Sequence, residues 1–145
     1  MFEMLFSFSN PVVFFWILLI FLPKWRLTQL LAKNIVFPIY LATVYTIGVV
    51  MAIADQGLSF VQDFGSAQGV IHLLAQPSFA LLSWIHILCF DQAIGHFIYQ
   101  DNMKNRYIPL PVQSVILFGT LMLGPLGFLT YIIVRTVCKA ENREN

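Results

Sequence analysis

The sequence predicts an all-α integral membrane protein, a bundle of four transmembrane helices. Three observations predict it. The 145 residues are 59% hydrophobic and only 10% charged, whereas a soluble domain carries about 25% charged residues. Four long runs hold little or no charge, and each is near the ~20 residues that cross a bilayer core. Lys and Arg fall at the ends of those runs rather than inside them. The expected arrangement is a single membrane domain over 1–138, with spans at 5–22, 34–54, 77–100 and 111–134. A polar tail, 139–145, follows.

The first run is apolar from Leu5 to Leu22 and closes on Pro23-Lys24-Trp25-Arg26. Asn10-Pro11 is an N-cap and first-turn pair, so the helix proper can begin at Pro11. Glu3 stands where a signal peptide carries basic residues, and no small-x-small cleavage site follows, so this helix is expected to be retained. The second run ends at Asp55-Gln56-Gly57. Residues 57–76 hold Asp63, His72 and several glycines; they read as an extramembrane loop with a short interfacial helix, and His72 as a solvated histidine. The third run carries Asp91, and the fourth ends at Arg135.

Lys24, Arg26 and Lys33 in the first loop, with Lys104 and Arg106 in the third, outnumber Arg135, Lys139 and Arg143 in the tail. The positive-inside rule then places both termini on the non-cytoplasmic side. A net charge of +1 gives no electrostatic footprint for a nucleic-acid partner. Cys89 and Cys138 make no disulfide framework.

The third run, WIHILCFDQAIGHFIYQD over 84–101, holds the chemistry. An Asp at a span centre costs about 3 kcal/mol or more and faces the bundle interior or water. Asp91 lies roughly 13 Å along the axis from Gln100 at 1.5 Å per residue, so it is not a helix-end charge. Its expected partners are the hydroxyls of Thr43, Tyr45, Thr46 and Thr120, which would leave it a protonated, inward-facing acid, either a proton donor or interhelical glue bonded to a hydroxyl or a backbone carbonyl. His86 and His96 lie five residues to either side, and steps of five rotate by about 140°. The three side chains therefore point in different directions and do not form a metal site. Trp84, Leu88, Asp91 and Gly95 share one stripe; His86, Cys89, Phe90 and Ala93 another; Gln92, His96 and Gln100 a third. A helix polar on several sides belongs at the centre of a bundle. Bis-histidine haem would need facing histidines, which one helix cannot supply, and no cofactor is expected.

Asp101, with Lys104 and Arg106 nearby, reads as a solvated loop carboxylate with a surface ion pair. In MLGPLGF, residues 122–128, Pro125 cannot donate to the helix, so a kink is expected there, with Gly124 and Gly127 removing side-chain bulk.

Taken in order, Trp84, His86, Asp91, Gly95, Asp101, Ile108-Pro109, Gly124-Pro125, Gly127 and Arg135 resemble the neoxanthin synthase (abscisic-acid-deficient 4-like) family of small membrane proteins. The resemblance is strongest over 77–135. It implies the conversion of violaxanthin to neoxanthin, a redox-neutral isomerisation that opens an epoxide and forms an allene. It implies Asp91 as acid and His86 as base, with Asp101 and His96 as further site residues. Trp84, Gly95, Gly124, Pro125 and Gly127 would shape the pocket. The expected partners are the lipid bilayer and a carotenoid, with a homo-oligomer left open, in a bacterial inner membrane or a thylakoid-type membrane. Three positions depart from the family pattern: His96 replaces an Arg, Ile87 an aromatic residue, and Gln92 an apolar one. Another carotenoid or flat polyene is therefore the expected substrate class. Two other readings compete: a non-enzymatic pigment- or lipid-binding scaffold, and a proton conduit through Asp91, His96 and Asp101.

Overall fold

Pro11, Pro77 and Pro125 each open a helix at its first position, where a missing N–H costs nothing. The computed structural model describes residues 2–144, with side chains described for 3–139. Among the described residues every regular element is helical. In chain order they are α1 (Phe2–Ser9), α2 (Pro11–Phe21), α3 (Arg26–Lys33), α4 (Val36–Gln56), a 3-10 turn (Ser59–Gly65), α5 (Ala67–Ala75), α6 (Pro77–Asn105), α7 (Leu110–Leu123) and α8 (Pro125–Glu144). The all-α expectation holds. The residues read as a polar tail continue α8 as far as Glu144, and Asn145 lies outside the described residues.

Among the described residues three helices are long and apolar enough to cross a membrane: Glu3–Phe21, Val36–Gln56 and Pro77–Asn105. They carry many exposed large apolar side chains, among them Phe14, Phe21, Ile39, Val50, Ile87 and Phe90, as a helix bathed in lipid does. The fourth expected span is not one helix of spanning length. α7 has 14 residues, about 21 Å at 1.5 Å per residue, against a hydrocarbon core of ~30 Å. Leu27, Leu30 and Leu31 give α3 an apolar stripe, so the first cation-bearing loop is a short amphipathic helix and not irregular chain.

The chain packs as two compact units. The first contains the segment up to Pro11 and Ile39–Cys89. Its core joins Ala52, Leu73, Phe79 and Leu82, with Leu5, Val44 and Ile85 forming a second cluster. Tyr40 Oη donates to the Phe8 carbonyl at 2.6 Å, tying α4 to α1. The segment expected as a loop with a short helix folds as the 3-10 turn plus α5. Ser66 caps α5 by accepting from the Gly69 N–H at 3.0 Å. A Cβ on Gly69 would overlap the Asp63 carbonyl oxygen, so α5 sits directly on the 3-10 turn. His72 is largely exposed and lies 3.8 Å from the Asp63 carboxylate.

The second unit contains Val12–Pro38 and the chain from Phe90 onward. Trp16, Leu18, Leu19, Phe37, Ile98, Leu117 and Tyr131 are fully buried in it. Phe15 stacks on Phe37 with ring centroids 4.1 Å apart. Tyr99 Oη donates to the Pro23 carbonyl at 2.7 Å, and Ser114 Oγ to the Ile20 carbonyl at 2.6 Å, fixing the end of α2 against α6 and α7. A Cβ on Gly95 would overlap the Trp16 indole. Because that ring is rigid, Gly95→Ala is expected to lower stability by about 1–3 kcal/mol through overpacking, measured by thermal unfolding in detergent.

α8 folds back on α7. A Cβ on Gly127 would overlap the Thr120 backbone, so the two helices touch just beyond the turn. Eight residues beyond Gly127, Arg135 Nε lies 3.0 Å from Asp101 Oδ2 and the guanidinium covers the Tyr107 ring at 5.4 Å. Asp101 and Tyr107 precede α7, so α8 has returned to where α7 began. The expected kink is thus a hairpin. Gly124 (φ +23°, ψ −86°) supplies a reversal that L side chains rarely adopt, and Pro125 starts a new helix instead of continuing the old one.

Candidate functional site

The hairpin tip reaches Asp91. A Cβ on Gly124 would overlap Asp91 Oδ1, so the carboxyl group lies against bare backbone at the break. A second contact confirms the register. Asp101 meets Arg135 ten residues along α6 and eleven along the chain from the tip, roughly 15 Å in each case. Phe97 bridges the interval, with its ring centroid 6.2 Å from Phe128 and 6.3 Å from Tyr131. The α8 segment therefore runs beside α6 with Asp91 at one end and Asp101 at the other. Irregular backbone at membrane depth persists only where protein covers it or it lines a cavity, and here it faces an ionisable side chain.

The three threonine hydroxyls expected as partners for Asp91 are occupied elsewhere. Thr43, Thr46 and Thr120 each donate to the carbonyl four residues earlier on their own helix, at 2.7–2.9 Å. The partially buried Asp91 carboxyl makes no hydrogen bond among the described residues. On the next stripe of α6, Gln92 and His96 are buried, and their four polar side-chain atoms also have no partner among the described residues; Trp16 Nε1 has none either. Buried polar atoms in native proteins are nearly always bonded, so this cluster marks α6 as the polar centre of the second unit.

Asp101 is not a solvated loop carboxylate. It accepts from Tyr131 Oη at 2.6 Å and from Asn105 Nδ2 at 2.9 Å, and it pairs with Arg135, not with Lys104 or Arg106. Its side chain is 13% exposed. The reason is the hairpin, which brings the end of the uncharged run back to its start. Next to this network Asn102, fully buried, donates to the Ile108 carbonyl at 2.9 Å and to Gln113 Oε1 at 2.7 Å, and accepts from the Ile108 N–H at 2.9 Å. That clip holds the turn from α6 into α7.

The profile of the ABA DEFICIENT 4-like family matches residues 4–131. The chain belongs to that family. No curated protein and no solved structure matches it. The matched stretch covers the three long helices, the hairpin tip and Tyr131, and stops short of Arg135.

In this family member the second unit brings together Asp91, Gly124 and Pro125 at one end of the α8 segment and Asp101, Tyr131 and Arg135 at the other, with Gly95 and His96 on α6 between them. His86 and Trp84 belong to the first unit. Trp84 is 48% exposed. His86 packs its ring 5.1 Å from Tyr45 and lines a cavity of about 350 Å³. Tyr45 and Ser83 are polar neighbours on that wall, and Phe60, Phe64 and Phe79 close it from other sides. The segment 57–76 supplies much of this cover. Sequence reading named His96 and placed Gln92 on its stripe, but it missed Ser83, Tyr131 and the burial of Gln92 and His96 without partners among the described residues.

Proposed function

We propose that the chain is an integral membrane protein that acts on a carotenoid or a similar flat polyene as a redox-neutral isomerase, with Asp91 as the acid. The observation that carries this reading is the carboxyl group in the middle of a spanning helix, set against the broken backbone of the hairpin tip. Ionisable groups at that depth are functional by default, and the family supports the polyene class. In the reaction, the epoxide oxygen takes a proton from Asp91 as one of its C–O bonds breaks. The carboxylate so formed takes the proton lost by the neighbouring chain carbon, and the C–H electron pair becomes the second double bond of an allene. Nothing is oxidised or reduced, and the acid is regenerated.

The hairpin also supports a topology of three spans with α7 and α8 as a re-entrant pair. All eight Lys and Arg lie in the second unit. In this topology they share one membrane face, which is cytoplasmic by the positive-inside rule, and the C-terminal end lies on that face too.

A second reading is favoured by the aromatic-walled cavity of the first unit. Its size and its few polar groups suit a ring-sized apolar ligand, as in a pigment-binding scaffold. Expression in a carotenoid-producing bacterium separates the two. The isomerase reading expects a new pigment of unchanged mass in chromatograms of cells that express the protein. Carotenoid that co-purifies unaltered, with no new isomer, would establish the scaffold instead.

A further inference from the structure

Three cations converge in the second unit, and among the described residues no carboxylate pairs with them. Lys33 at the end of α3, Lys104 at the end of α6 and Arg106 just beyond it line a cavity of about 450 Å³, with Gln29 and Gln100 among them. Among the described residues none of the three cations is in an ion pair. The nearest acid in sequence, Asp101, is held by Arg135, Tyr131 and Asn105. Arg106 also sits at φ +54°, with its N–H bonded to the Asn102 carbonyl at 2.8 Å. That is the left-handed position after a helix where glycine is the usual residue. An arginine kept there at a conformational cost points to a use for its side chain.

We propose that this cavity binds the phosphate of an anionic lipid headgroup. The lipid source follows from the surroundings. The cavity lies where the Pro77–Asn105 span ends, beside amphipathic α3. Trp25, 47% exposed, begins α3, and Tyr99 lines the wall; both are residues that favour the headgroup level. Ala32 and Met103 give the wall an apolar part for the glycerol and the first acyl carbons. Basic pockets between helices on the cytoplasmic side take such headgroups. The inference is independent of any chemistry at Asp91.

The test is native mass spectrometry and thermal unfolding of the full chain in nanodiscs of phosphatidylcholine, with or without one-fifth phosphatidylglycerol. The wild type is expected to retain phosphatidylglycerol selectively and to unfold at higher temperature when it is present. Removal of each cation by Lys33→Gln, Lys104→Gln or Arg106→Gly is expected to weaken retention roughly fivefold. Arg106→Gly separates binding from folding, since glycine relieves the strained backbone: it should be at least as stable as wild type in phosphatidylcholine alone and still lose selective retention. Equal retention by Arg106→Gly and wild type would overturn the proposal. So would a stabilisation by inorganic phosphate that leaves no preference for the anionic lipid.

Discussion

Replacing Gly124 by alanine is expected to destabilise the second unit by about 2–4 kcal/mol. Two costs add. A φ of +23° is strained for any residue with a Cβ, and the new Cβ would overlap Asp91 Oδ1. The costs can be separated, because only the second depends on Asp91. In an Asp91→Ala background the same change should cost about 1 kcal/mol less or better, a coupling typical of residues in contact. Thermal unfolding of the four proteins in one detergent measures it. Additive losses would mean that the hairpin tip does not touch the carboxyl group.

Arg135→Met is expected to cost about 2–3 kcal/mol, below the range for a fully buried pair, because it leaves a largely covered carboxylate without its cation. Arg135 and Asp101 have side chains only 27% and 13% exposed, so solvent screens them little. Tyr131 and Asn105 would still donate to Asp101, but neither neutralises it. Arg135→Met with Asp101→Asn should recover most of the loss, because the neutral pair needs no counter-charge. The same unfolding measurement checks this. A loss below about 1 kcal/mol for Arg135→Met, the range of exposed pairs, would contradict the folded-back position of α8.

Much of the helical fold was legible in the sequence. The second and third apolar runs each fold as one long helix, being long, nearly uncharged and ended by clear polar signals. The third was placed at 77–100 and extends to Asn105, since the last polar turn remains helical. The hairpin was not legible. An uncharged run from Pro111 to Val134 satisfies the length rule for a span, and Gly-Pro inside it reads as a kink. Only the backbone angles at Gly124, which no composition rule supplies, turn the kink into a reversal. Gly127 was read as removing bulk at a kink, and its contact with Thr120 appears only with the reversal. Misreading the reversal moved Arg135 to the wrong end, which in turn left Asp101 assigned to the solvent. Asp91 and Gly124 were both singled out from sequence, but their contact required the hairpin.

The most direct test of the acid role compares wild type with Asp91→Asn, purified and reconstituted with a 5,6-epoxy-carotenoid, the product resolved by chromatography. Asparagine keeps the shape and removes the proton, so pigment binding and folding should survive while conversion falls by at least about 100-fold. Conversion by Asp91→Asn at the wild-type rate would contradict the assignment of Asp91 as the acid.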